Sequence, residues 1–422
     1  MKKRLSVILS LAMLIALALS ACGESSDGGG ASDGGDGEKV LKVAVCAPLT
    51  GTGARAGTGF IESTKMAFED IDYKVGDYTI EMITVDLTDD PEKGALALEQ
   101  AIVRDGAQVA TQGWFTTGAM ASMDVVARYE IPYLFNYGAG QSIDEKYATD
   151  PDYYKYYIGK TYPLTDFIAV EYRDLVVEAM ESGAISGDKT ICLYGEDTDW
   201  ARSLGANYRK YFEEAGYTIL TEDYFAAGTT DLYAILSKMQ AAGPTLVAGT
   251  INTPATAAAF TKQAKEINLG LPIIMQCLNE SAEWRDLCGD SAEGVIDQWP
   301  GWKDQRGQDF CDRWEKRMGY AASITTEGVA YDNALLFIDA LQKCYDMYGV
   351  LDTESILKFG WEEINGGNYS FDSIIQPAYR WEPGSISPVV GQDAFFNPLG
   401  QVQGGEFVTI FPAERAEADP IW

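Results

Sequence analysis

Residues 41–71 read LKVAVCAPLTGTGARAGTGFIESTKMAFEDI. An apolar run from Leu41 to Leu49 meets a Gly-rich turn. Beyond the turn Phe60, Thr64, Ala67, Phe68 and Ile71 recur at helical spacing, while Glu62, Lys65 and Glu69 take the opposite face. This is a buried strand, a tight turn and an amphipathic helix, and the unit repeats. YTIEMITVD, a helix from Glu92 to Arg104, AQVATQG, a helix after Thr117 and IPYLFN complete a first series. A second starts near Thr190: TICLYG, a helix from Trp200 to Ala215, YTILTEDYF, a helix to Ala242, PTLVAGT, a helix to Ile267 and LPIIMQ. Apolar strands alternating with amphipathic helices predict parallel sheets covered on both faces, so the fold class is α/β with two similar lobes. Helix follows strand again from Gln308 to Tyr348, and the tail from Asn368 is richer in Gly, Pro and aromatics.

The 422 residues suffice for two or three domains. Lys plus Arg number 32 against 63 Asp plus Glu, a formal charge of −31. So acidic a chain repels phosphate backbones, which argues against a nucleic-acid partner. Histidine is absent, which excludes His-based triads, His general bases and HExxH zinc sites.

Residues 1–22 read as a lipoprotein signal peptide. Lys2, Lys3 and Arg4 precede an apolar stretch, Leu5 to Leu19, that ends in Leu19-Ser20-Ala21-Cys22-Gly23. The order resembles the lipobox of bacterial lipoproteins, in which the cysteine is lipidated and becomes the new N-terminus; an ordinary cleaved signal uses similar small residues. Cys22 is the expected lipidation site, and the charge of the mature chain then falls to −34 with the loss of the three basic residues. Residues 23–39 (GESSDGGGASDGGDGEK) hold no large apolar side chain and form a flexible Gly/Ser/Asp linker. No other stretch has the roughly 18 apolar residues of a spanning helix. The expected location is therefore the extracytoplasmic face of the cell membrane, through a lipid anchor.

Cys46 and Cys192 sit in apolar strands, where a buried thiol is the default. Cys277, Cys288, Cys311 and Cys344 could supply one or two disulfides, with the pairing open. The turn Gly51-Thr52-Gly53-Ala54-Arg55-Ala56-Gly57 is one residue too long for a dinucleotide fingerprint. Acid pairs such as Asp89 with Asp90 or Asp197 with Asp199 invite a glycosidase reading, yet in a chain with 63 acids such pairs are ordinarily a solvated face. No catalytic residue, cofactor or metal site is expected.

In open α/β sheets ligands bind at the C-terminal edges of the strands. Those edges here carry Trp114-Phe115-Thr116-Thr117-Gly118, Asn136-Tyr137-Gly138-Ala139-Gly140, Asp197-Thr198-Asp199-Trp200, Asn252-Thr253 and Gln276. One such turn is only a helix cap. Five, with aromatics interleaved, point to a cleft for a small polar solute.

The run Val43-Ala44-Val45-Cys46-Ala47-Pro48-Leu49-Thr50-Gly51, with Gly57 and the helix ending Ala67-Phe68-Glu69-Asp70-Ile71, resembles the opening of branched-chain amino-acid-type solute-binding proteins of ABC importers. Gly113–Thr117, Ile131–Leu134, Asp199-Trp200 before Leu204-Gly205, Glu293–Val295, Ala330–Asp332 and Gly404–Val408 match further landmarks, so the resemblance runs from about Val40 to Pro412. It implies a type I periplasmic-binding-protein fold: two Rossmann-like lobes joined by a three-strand hinge that closes on the solute. Lobe 1 would be 40–163 plus 300–350, and lobe 2 would be 164–299 plus 351–422. The resemblance places a ligand carboxylate at Thr116, Thr117, Gly138 and Ala139, and an aromatic, Trp200, over the ligand. At the family's ammonium-binding acid stand Gln276 and Cys277, followed by Asn279 and Glu280, and the first-turn aromatic of some members is Ala56. These departures weigh against leucine, isoleucine and valine. The implied partners are a small solute and the permease and ATPase of an ABC importer, with the chain a monomer.

The resulting expectation is a solute-binding protein for an amino acid or related compound. Its alternatives are a sensor that transports nothing, a binder of an amide, urea or aromatic acid, and an exported hydrolase. The expected ligand residues are Trp114, Thr116, Thr117, Asn136, Tyr137, Gly138, Ala139, Trp200, Asn252, Thr253 and Gln276.

Overall fold

A computed structural model of the protein describes residues 39–276, 282–298 and 300–422. The signal peptide, Cys22, most of the linker, Cys277, Asn279 and Glu280 lie outside the described residues. The strands are β1 (Lys39–Ala47), β2 (Lys74–Val75), β3 (Tyr78–Asp86), β4 (Val109–Gln112), β5 (Tyr133–Phe135), β6 (Tyr157–Lys160), β7 (Thr190–Glu196), β8 (Thr218–Phe225), β9 (Leu246–Thr250), β10 (Ile273–Gln276), β11 (Ile296–Gln298), β12 (Ser370–Phe371), β13 (Tyr379–Arg380), β14 (Leu399–Gln403) and β15 (Glu406–Phe411).

The first sheet runs β2-β3-β1-β4-β5-β6 and the second β15-β14-β11-β10-β9-β7-β8. Their parallel cores, β3-β1-β4-β5-β6 and β8-β7-β9-β10-β11, share one order, second-first-third-fourth-fifth. Only β2 in the first sheet and β14 and β15 in the second are antiparallel. In this doubly wound order the switch point falls between β1 and β4 in one lobe and between β7 and β9 in the other. Leu41, Val43, Val45 and Ala47 on one side of β1, and Ala44 and Cys46 on the other, are fully buried. That is why the run is continuously apolar rather than alternating.

The turn after β1 is shaped by close packing rather than by phosphate binding. A side chain at Gly57 would stand 1.9 Å from the Pro48 carbonyl oxygen, so only glycine lets helix Ala54–Glu69 settle against the strand end. The helical stretch expected from Gln308 to Tyr348 is two helices, Gln305–Met318 and Val329–Tyr348. Gly319, at φ +79°, ends the first in the left-handed conformation, and a π-helical turn, Ile324–Gly328, leads into the second.

The chain crosses between lobes three times: from β6 to helix Thr165–Glu181, from β11 to helix Gln305–Met318, and into β14. Of the tail, residues 399–411 extend the second sheet, whereas helix Thr353–Phe359 packs on Val329–Tyr348. Likewise Trp381 Nε1 donates to the Lys160 carbonyl in the first sheet at 3.2 Å. Cys46, Cys192, Cys288, Cys311 and Cys344 are free thiols. Among the described residues no helix is long and apolar enough to cross a membrane.

Candidate ligand-binding site

The loops leaving β1, β3, β4, β5 and β6 face those leaving β7, β8 and β9 across a cleft of about 410 Å³. Of the residues expected from sequence, Trp114, Thr116, Thr117, Tyr137, Gly138, Ala139, Trp200, Asn252 and Thr253 line it together. Asn136 and Gln276 do not reach its surface. Asn136 is fully buried: it donates to Gln112 Oε1 at 2.9 Å and accepts from the Thr161 hydroxyl at 2.8 Å. Gln276 accepts from the Thr250 hydroxyl at 3.0 Å and faces a smaller cavity behind the cleft. Each supports a cleft residue from beneath.

The lobe 1 wall is built on helix Thr116–Tyr129. Its N-cap is Phe115, and no side chain caps that end. The first-turn N–H groups and the positive end of the helix, with the Thr117 hydroxyl, therefore point at whatever occupies the cleft. Thr116 is wedged against Gly140, where a Cβ would lie 2.4 Å from its methyl carbon, so the following loop is held tightly against the helix start. Tyr137 takes φ +59°, a left-handed conformation rare for an aromatic residue. It stacks between Phe60, 6.0 Å away, and Tyr162, 5.1 Å away. Trp114 stacks on Phe115 at 5.2 Å.

The lobe 2 wall carries a buried carboxylate. Glu196, the last residue of β7, is 1% exposed and lines the cleft. Its Oε2 accepts from the backbone N–H of Asn252 at 3.0 Å and of Thr253 at 3.2 Å, where the chain enters helix Pro254–Glu266. Thr198 caps helix Asp199–Glu214 through the N–H of Ala201, at 3.1 Å. The start of helix Asp199–Glu214 is thus capped by the chain itself, whereas Glu196 holds the loop that leads into helix Pro254–Glu266. Trp200 donates from Nε1 to Thr250 Oγ1 at 3.1 Å, which fixes its ring over the cleft. The lobes touch beside it, where the N–H of Gln141 donates to Ser203 Oγ at 3.3 Å.

Asp89, Asp197 and Asp199 also line the cleft, and none of the described residues lining it is Lys or Arg. Asp197 is paired with Arg202 at 2.6 Å. Asp90, beside Asp89, caps helix Pro91–Val103, so neither acid pair is a matched catalytic set. Glu196 and Tyr162 were not singled out by the sequence. The available signal for Glu196 was an acid terminating the apolar strand TICLYG at its ligand-facing edge.

The periplasmic binding protein family model matches residues 40–384, and the chain belongs to this family. It is a family of solute-binding proteins rather than enzymes, and it acts outside the cytoplasm. The chain is 22% identical over 348 residues to a leucine-, isoleucine-, valine-, threonine-, and alanine-binding protein of Pseudomonas aeruginosa, covering 79% of this chain and 86% of that one. An ABC transporter substrate-binding protein from Sphaerobacter thermophilus superposes with a TM-score of 0.73 at 19% identity, covering 91% of this chain and 100% of that one. A solute binding protein of an ABC transporter from Rhodopseudomonas palustris BisB5, in complex with 3,4-dihydroxy benzoic acid, superposes with a TM-score of 0.70 at 20% identity, covering 91% of this chain and 98% of that one.

Proposed function

We propose that the chain captures a small amino-acid-like zwitterion outside the cell and delivers it to the permease and ATPase of an ABC importer. The observation that carries this reading is the polarity of the cleft. Lobe 1 offers a helix start that no side chain caps, suited to a carboxylate. Lobe 2 offers the buried Glu196 carboxylate, suited to an ammonium group. The aromatic rings of Trp114, Tyr137, Tyr162 and Trp200 would enclose the apolar part. Closure would bring the two walls together, the solute stabilising the closed form by its differential affinity. On this reading residues 351–395, expected from sequence in lobe 2, go with lobe 1, because helix Thr353–Phe359 packs on Val329–Tyr348 and Trp381 bonds to β6; lobe 1 is then about 40–163 and 300–395, and lobe 2 is 164–299 and 396–422. Cys22 carries the lipid that holds the monomer at the membrane.

Native mass spectrometry with titration calorimetry over L-amino acids, carboxamides, urea and benzoates tests the ligand class. Retention of an L-amino acid, recovered unchanged, is the expected result, and selective retention of an uncharged amide or a benzoate would replace the reading. The aromatic-acid alternative is favoured by the stacked Trp114–Phe115 pair, and Glu196 would then be held by the backbone N–H groups of Gly228, Asn252 and Thr253 alone. For the anchor, Cys22→Ala should move the protein from the membrane to the soluble fraction. Unaltered retention without an acyl mass would remove that part. Uptake lost on deletion of the gene separates transport from sensing.

A further inference from the structure

Tyr162 lies in the first crossover, between β6 and helix Thr165–Glu181, and is 7% exposed. Its hydroxyl donates to Gln298 Oε1 at 2.8 Å, at the start of the second crossover. The same oxygen accepts from Asn397 Nδ2 at 3.5 Å, just before β14 in the third. Its ring meets Phe395 edge-on at 5.1 Å. One buried side chain thus touches all three connections.

That ring also forms part of the cleft. It stacks on Tyr137 of the lobe 1 wall at 5.1 Å and meets Trp200 of the lobe 2 wall edge-on at 6.4 Å. Behind it the crossovers surround a cavity of about 20 Å³, the size of a single water, faced by Gln276, Asp297, Gln298, Gln376 and Asn397 among aromatic and apolar side chains. The amides of the hinge thus meet a water-sized void rather than close packing, which would resist any change of partner because close-packed side chains do not deform continuously.

We propose that Tyr162 is the pivot of the hinge, a positioning residue whose hydroxyl ties the three crossovers to one another and whose ring reports the separation of the cleft walls. Without the hydroxyl the crossovers move independently, and the lobes of the ligand-free protein part further. The proposal rests on the reading of the cleft as the solute site, but its test needs no solute, so the two can fail separately.

The test is small-angle X-ray scattering on the ligand-free chain, for wild type, Tyr162→Phe and Tyr194→Phe. Tyr194 is the control: it is also buried, and its hydroxyl donates to the Ile274 carbonyl at 2.9 Å, between two strands of lobe 2 and away from the crossovers. Both variants lose one buried hydrogen bond and should lose comparable thermal stability. Only Tyr162→Phe should shift to a larger radius of gyration and maximum dimension. If Tyr162→Phe fails to fold, Gln298→Met, which removes the acceptor, should give the same shift. Scattering identical to wild type, or an equal shift in Tyr194→Phe, would overturn the proposal.

Discussion

The backbone N–H of Asn252 donates to Glu196 Oε2 at 3.0 Å, so a carboxylate of the chain itself sits where helix Pro254–Glu266 begins. Glu196→Gln removes the charge and also turns one accepting oxygen into a donor facing the N–H of Gly228, or of Asn252 and Thr253, so a matching circular dichroism spectrum and melting temperature must accompany the binding data. Amino-acid binding should weaken about 10- to 150-fold, because hydrogen bonds to charged groups contribute about 1.5–3 kcal/mol. Titration calorimetry measures it, and an unchanged Kd would show that no ammonium group meets Glu196.

On the facing wall, Thr117→Ala removes a hydroxyl from the uncapped helix start. A lost buried hydrogen bond costs about 1–3 kcal/mol, so affinity should drop about 5- to 150-fold. Trp200→Ala should cost at least as much, since it also removes the ring held over the cleft by Thr250. Wild-type affinity in either variant would mean that the solute lies elsewhere.

Lys160 is fully buried, and its Nζ lies 3.0 Å from Asp144 Oδ2. Burial pulls the ammonium below its ordinary range, while Asp144 pulls it back up. Asp144→Ala leaves that charge unpaired and should destabilise the fold by about 3–5 kcal/mol in chemical denaturation. A loss below about 1 kcal/mol would mean that Lys160 is neutral or finds other partners.

Burial pushes Glu327 up to about 7, against the Ser323 N–H that donates to it. A carboxyl raised in the folded state binds more protons folded than unfolded, so its stabilising effect is present at low pH. That effect is lost as pH climbs from about 4.5 to about 7. Glu327→Gln should therefore match wild type near pH 4.5 and be more stable above pH 7, by on the order of 3 kcal/mol. Urea melts at both pH values decide it, and a difference independent of pH would count against titration of Glu327.

Much of the fold was legible because parallel strands buried on both faces must be apolar throughout. TICLYG announces β7, and its helix follows at the expected spacing. The cleft loops were legible for a related reason, since chemistry collects at the C-terminal edges of such strands. Depth was not legible. Asn136 and Tyr137 are neighbours, yet one turns into the Gln112–Thr161 network and the other into the cleft. A left-handed backbone at Tyr137 decides which, and no propensity announces it. Tyr162 carried no signal because its partners, Gln298 and Asn397, are more than a hundred residues away. The split between Met318 and Val329 escaped the helical pattern because apolar spacing resumes after Gly319.

The common strand order of the two sheets has a consequence for direction. Two congruent walls would accept a dipolar guest head-first or tail-first with equal ease, a twofold degeneracy. For the zwitterion proposed above, Glu196 would lift it by setting a buried carboxylate across from the open helix start at Thr116. The guest would then have a single heading, its negative end toward Thr116 and its positive end toward Glu196.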